Sequence, residues 1–271
     1  MLRQPPQPDR NRLSVLSALV LLSYTLLRIV ELPALRAEFS VLGLLLRFEV
    51  NTRNVMLTLA AALMAAGADW LIRAHPWREP GRTTREHWVM PGLAALGVGA
   101  ILARLPMGPT WWAGLGLSAV LLIAILATEF IVSEADDPRH DTAAIVLATL
   151  AYLFLVGALF AIRATGQRAT FAVPLVFLAT AAVAWRLLKL ELPDRHLALQ
   201  AALVGGVLAQ ISWGLHYWPV TPLRYALILG LGGYLATGIA RAHLREEFGR
   251  AARVEYSIVG AVALALILVL T

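Results

Sequence analysis

The sequence predicts an all-α fold, a polytopic membrane helix bundle of about nine transmembrane helices plus one interfacial or re-entrant segment. Three observations carry this prediction. Of 271 residues, 59% are hydrophobic and only 15% charged, against about 45–50% and ~25% in soluble domains. Apolar runs of about 20 residues recur along the chain, the length needed to cross ~30 Å of hydrocarbon at 1.5 Å per residue. Arginine and tryptophan gather at the ends of those runs, where a bilayer places them.

Residues 1–12 are polar, proline-rich and basic, and are expected to be a disordered cytoplasmic tail; residues 13–271 are expected to form a single membrane domain. The first apolar run, Leu13–Val30, is too long for a signal-peptide core and lacks a small-residue cleavage site after it, so a retained helix is predicted. Further spans are predicted at Asn54–Ile72, His87–Leu105, Pro109–Val132, Thr142–Ile162, Ala169–Leu188, Leu197–Tyr217, Leu223–Ala240 and Val254–Leu270. Leu35–Asn51 has a central apolar stretch of about eight residues, too short to cross. An interfacial helix is the favoured reading; a re-entrant piece, or a short strand over Arg47–Asn51, is the alternative. Tight turns at Pro106–Pro109 and Tyr217–Pro222 make the flanking helices antiparallel neighbours.

Arginine supplies all but one of the 23 basic residues. With nine spans and the N-terminus inside, 15 of these 23 fall on the cytoplasmic side. The positive-inside rule therefore predicts N-inside, C-outside. The eight tryptophans all lie near predicted span ends, at headgroup level. Net charge is +6, but the basic residues sit in short loops and are not interleaved with aromatics on a polar face. No nucleic-acid partner is expected. Cysteine is absent, which removes disulfides, thiolate metal sites and a cysteine nucleophile.

Lipid is as apolar as leucine, so helices associate through close backbone approach. Small residues four apart recur: Ala95 and Gly99, Gly114 and Ser118, Ala201 and Gly205, Ala202 and Gly206, Gly232 and Ala236. The third, fourth, seventh and eighth spans are thus expected to pack most tightly. The partners expected are the bilayer itself and either another membrane protein or a second copy of the chain.

Ionisable groups at membrane depth need a partner or a role. Arg28 with Glu31, and Asp69 with Arg73, are spaced to pair on their own helices. Glu129 and Arg186 have no opposite charge three or four residues away, and are expected to form an intramembrane ion pair with each other. The loop 134–141 is the densest polar cluster. Asp137 or Asp141 suits the cap of the following helix, and Pro138 its first turn. Under the enzyme alternative, Glu129, Asp136, Asp137, His140 and Asp141 would form a catalytic inner-face site, holding Mg²⁺ for chemistry on a lipid, prenyl or phosphoryl substrate. Otherwise no cofactor is expected. The six histidines fall near span ends, and no HExxH, phosphate loop or GxSxG occurs. Gly205–Gly206, Gly230, Gly232 and Gly233, with Gln200, Gln210 and Ser212, are the features a transporter would use.

The stretch His216–Leu244, with its aromatic-Pro-x-x-Pro turn and small-residue helix, resembles the C-terminal part of an uncharacterised bacterial multi-pass membrane family of unknown function. Arg73–Ala74–His75–Pro76 extends the likeness. The resemblance covers about a fifth of the chain and implies a polytopic bacterial protein without naming an activity. The function expected is that of a non-catalytic multi-pass membrane protein, accessory or transporter-like, with the membrane enzyme as its rival.

Overall fold

A computed structural model describes residues 6–29, 35–41, 44–50, 52–77, 83–193 and 195–270. Among them are nine α-helices: α1 (Arg10–Ile29), α2 (Thr52–Ile72), α3 (Val89–Leu102), α4 (Pro109–Ile131), α5 (His140–Ala164), α6 (Ala169–Glu191), α7 (Ala198–His216), α8 (Pro222–Leu244) and α9 (Arg250–Leu270). Eight of these, all but α3, are long and apolar enough to cross a membrane. The chain divides into two compact units, Met1–His140 and Asp141–Thr271.

In the first unit the helices alternate in direction. Arg12 near the start of α1 donates to the Trp70 carbonyl near the end of α2 at 2.8 Å, and Leu16 packs on Gly67. The Tyr24 hydroxyl of α1 donates to the Ala95 carbonyl of α3 at 2.6 Å. Arg28, one turn further, donates to the Leu102 carbonyl at 3.0 Å and also to that of Leu105. A guanidinium thus covers the free carbonyls at the end of α3, where a cation is favoured. Glu31, its expected partner, lies outside the described residues. The start of α1 is ordered earlier than predicted, because Asp9 caps it. Its carboxylate accepts the Asn11 N–H at 2.9 Å and its carbonyl the Leu13 N–H at 3.0 Å.

Two predicted elements take another form. The span predicted at His87–Leu105 is a four-residue 3-10 turn, Arg85–Trp88, running into the 14-residue α3. The α-helical part is about 21 Å long, short of the ~30 Å a bilayer core demands. Leu35–Asn51, read as an interfacial helix, holds an antiparallel hairpin, β1 (Leu35–Val41) and β2 (Leu44–Val50). The short strand weighed over Arg47–Asn51 is the second half of this ladder. In register Arg36 lies opposite Glu49 and Glu38 opposite Arg47, while Phe39 lies opposite Leu46. Charged and apolar residues alternate along both strands with the period of two that a strand has. The length argument had excluded only a crossing helix.

The second unit also alternates. Close approach is tightest between α6 and α7. A Cβ on Gly205 would lie 2.8 Å from the Ala181 Cβ and 2.9 Å from the Phe177 carbonyl oxygen, so only glycine permits this backbone contact. Gly230 and Gly233 of α8 face Val156 and Leu155 of α5, and Gly232 faces Leu208 of α7. The buried Ser212 and Tyr225 hydroxyls bond at 2.7 Å across α7 and α8. Pro222 opens α8 and the Thr221 hydroxyl caps it, accepting the Arg224 N–H at 3.2 Å. The last helix, α9, reaches α8 through Tyr256 against Gly238 and Gly260 against Leu235. The apolar window of α9 has no buried residue, which suits a helix coated by acyl chains.

Candidate functional site

The polar groups of the first unit collect at the end where α1 begins, α2 ends, α3 begins and α4 ends. Glu129, fully buried one turn inside the end of α4, meets His87 of the 3-10 turn, Oε2 to Nδ1 at 2.7 Å. His87 is itself buried. Beside them Asp69 of α2 takes three donors: the Thr84 hydroxyl, the Trp88 indole N–H at 3.2 Å, and Arg73 at 2.7 Å. The Asp69–Arg73 pair is the one the sequence spacing predicts. The two interactions pin the 3-10 turn, and with it the start of α3, between α2 and α4.

The loop after α4 is closed by Asp137. Its carboxylate accepts the Arg139 backbone N–H at 2.8 Å and the Arg139 guanidinium at 3.0 and 2.7 Å. The same guanidinium donates to the Pro6 carbonyl at 2.7 Å, drawing in the N-terminal segment. The guanidinium hydrogen bonds hold the Asp137 carboxyl below the usual aspartate range. The backbone N–H and the positive charge of Arg139 add to this, and burial opposes it. In turn Asp137 raises the affinity of Arg139 for its proton. The His75 ring packs on Phe130, centroids 4.4 Å apart, and its Nδ1 accepts the Trp77 N–H at 3.3 Å.

The remaining predicted residues are placed as follows. Asp136 is exposed on the same loop, and His140 and Asp141 open α5, with Asp141 in its first turn where an acid complements the helix dipole. Arg186 is buried on α6 in the second unit. Among the described residues no three His, Asp or Glu side chains converge as a metal ion would require. The residue that sequence reasoning missed is His87, grouped there with interfacial histidines. A signal existed. His87 and Glu129 each lie about 21 residues from the Pro106–Pro109 turn, so an antiparallel hairpin sets them opposite each other.

The second unit carries its own polar cluster. Glu191, the last residue of α6, pairs with Arg241 at 2.7 Å and Arg245 at 2.8 Å. Arg241 also hydrogen-bonds Tyr256 of α9, and Arg195 donates to the Leu244 carbonyl at 3.0 Å. Deeper in, Tyr152 hydrogen-bonds Thr237 and packs edge-on against Tyr234 at 5.6 Å. At the opposite end Arg163 donates to the carbonyls of His216 at 3.2 Å and Trp218 at 3.3 Å.

A family model described as a protein of unknown function, DUF5656, matches residues 32–270. The chain belongs to the DUF5656 family. The DUF5656 match takes in the hairpin, the His87–Glu129 pair, the Asp137 loop and the whole second unit, while α1 lies before it. It also contains the stretch His216–Leu244 on which the resemblance to an uncharacterised family rests. No curated protein and no solved structure matches this DUF5656 chain.

Proposed function

We propose that this DUF5656 protein is a non-catalytic, multi-pass protein of a bacterial inner membrane, acting as an accessory or structural scaffold. Its N-terminus faces the cytoplasm and its C-terminus the outside. The carrying observation is what these acids do. Glu129 bonds His87 and Asp69 bonds Thr84, Trp88 and Arg73, both holding the 3-10 turn to a neighbouring helix. Asp137 holds Arg139, whose guanidinium reaches the Pro6 carbonyl, the role expected of ionisable groups held at a bundle's polar end. The arginine bias and the tryptophan positions support the orientation, and the resemblance to a bacterial family supports the compartment.

Two measurements test this reading, one in native membranes and one on the detergent-purified chain. Chemical crosslinking in native membranes should trap one discrete assembly, with a partner or with a second copy. Calorimetric titration with Mg²⁺ should give no saturable heat. Saturable Mg²⁺ binding that disappears in a D136N/D137N/D141N variant, accompanied by turnover of a prenyl or lipid phosphate, would replace the scaffold with the enzyme.

A further inference from the structure

We infer that the second unit carries a lateral binding site for an anionic phospholipid, with one acyl chain between α5, α6 and α8 and the phosphate at Arg241 and Arg245. A cavity of about 200 Å³ lies there, below the ~300 Å³ of a typical small-molecule pocket. That volume suits one part of a larger amphiphile. The cavity is lined by Ala144 and Ala148 of α5 and by Gly238 of α8, and larger side chains at the two alanines would fill the gap. Its floor is buried at Leu188 and Thr237, whereas Ile145 and Tyr234 at the rim are exposed. The mouth therefore faces sideways, where acyl chains run.

The cavity carries its charged groups at one end, and along its length apolar side chains line it together with Tyr152 and Thr237. Glu191 and Arg241 stand at the end of α6 and in the last turn of α8. Tyr152 lies twelve residues, about 18 Å, along α5 from its start. Two guanidinium groups share the single Glu191 carboxylate, which leaves one positive charge in excess. A guanidinium has five N–H donors. Arg241 commits one nitrogen to Glu191 and a bond to Tyr256, so donors remain. Both arginine side chains are about 40% exposed, open to a headgroup. A phosphodiester, tetrahedral and anionic with two non-bridging oxygens free to accept, is the group such a fork receives.

This inference rests on the bilayer placement proposed above, which alkaline carbonate extraction of membranes tests separately. The site itself is tested by native mass spectrometry of the full chain in detergent, titrated with dioleoyl phosphatidylglycerol, dioleoyl phosphatidylcholine or inorganic phosphate. Phosphatidylglycerol should bind about tenfold more tightly than phosphatidylcholine. Arg241→Gln with Arg245→Gln should erase that preference. Ala148→Phe, which fills the floor, should weaken phosphatidylglycerol about tenfold, whereas Leu203→Phe, on an exposed face of α7, should not. If Ala148→Phe does not fold, Ala144→Leu takes its place. Equal binding of the two lipids, or retention unchanged by the floor variants, would overturn the site. Competition by inorganic phosphate as effective as that by the lipid would show a free-anion site in place of a lipid one.

Discussion

Glu129 has no basic residue three or four positions away, so its own helix cannot neutralise it. Its need for a partner could be read from the sequence. His87 could not, because a search along one helix does not see across a hairpin. Removing one partner of a buried pair costs about 3–5 kcal/mol. Thermal melts in detergent should therefore show His87→Leu and Glu129→Leu each strongly destabilised, and the double variant losing less than the sum of the two. Additive losses in that cycle would contradict the pairing. Asp137 makes a second prediction. Its folded carboxyl titrates below the unfolded value of ~3.9. Its contribution is thus fully present above that value and is lost as pH falls through the folded one. The melting difference between the wild type and Asp137→Asn should be constant near neutral pH and shrink below about pH 4. A difference that persists unchanged at pH 3 would argue against the carboxylate as its source.

At the scale of elements, the helix bounds were largely legible. A run of 20 apolar residues between arginines leaves a membrane chain little choice of conformation. Exceptions arise where length and period pull apart. The hairpin over Leu35–Val50 pairs its two strands in an antiparallel ladder, an outcome that the short apolar stretch allowed as readily as a helix. Small-residue spacing predicted close packing on α7, and Gly205 delivers it, but the partner is α6, which the small-residue pairs did not single out. Its contribution is the Phe177 carbonyl and the Ala181 methyl. Gly206, equally part of the pattern, meets nothing among the described residues. Gly205→Ala should lower stability by about 1–3 kcal/mol through overpacking, and Gly206→Ala should leave it unchanged. Equal melting temperatures for the two variants would remove the close contact from the account of this unit.

For the molecule as a whole, the proposed layout of nine crossings would set the termini on opposite faces, and that count depends on α3. Within the first unit α3 runs parallel to α1 and antiparallel to α2 and α4, as Tyr24, Gly67 and Glu129 record. Its direction fits a crossing, whereas its 14 residues fall short of one. Reporter fusions at the two ends should accordingly report different compartments, the N-terminal one cytoplasmic. Fusions after α2 and after α3 should differ as well. Matching compartments for the last two would mean that α3 turns back.

The shortness of α3 has a consequence for the membrane around it. Arg28 seals one end of that helix, and the His87–Glu129 pair holds the other. These charged fittings stand nearer to each other than two headgroup planes ordinarily do. In the bilayer placement proposed above, water and phosphates would have to dip inward to meet them, pinching the bilayer beside the first unit. A pinch is easier to make in a thin, fluid membrane than in a thick, stiff one, so that placement would favour thin surroundings.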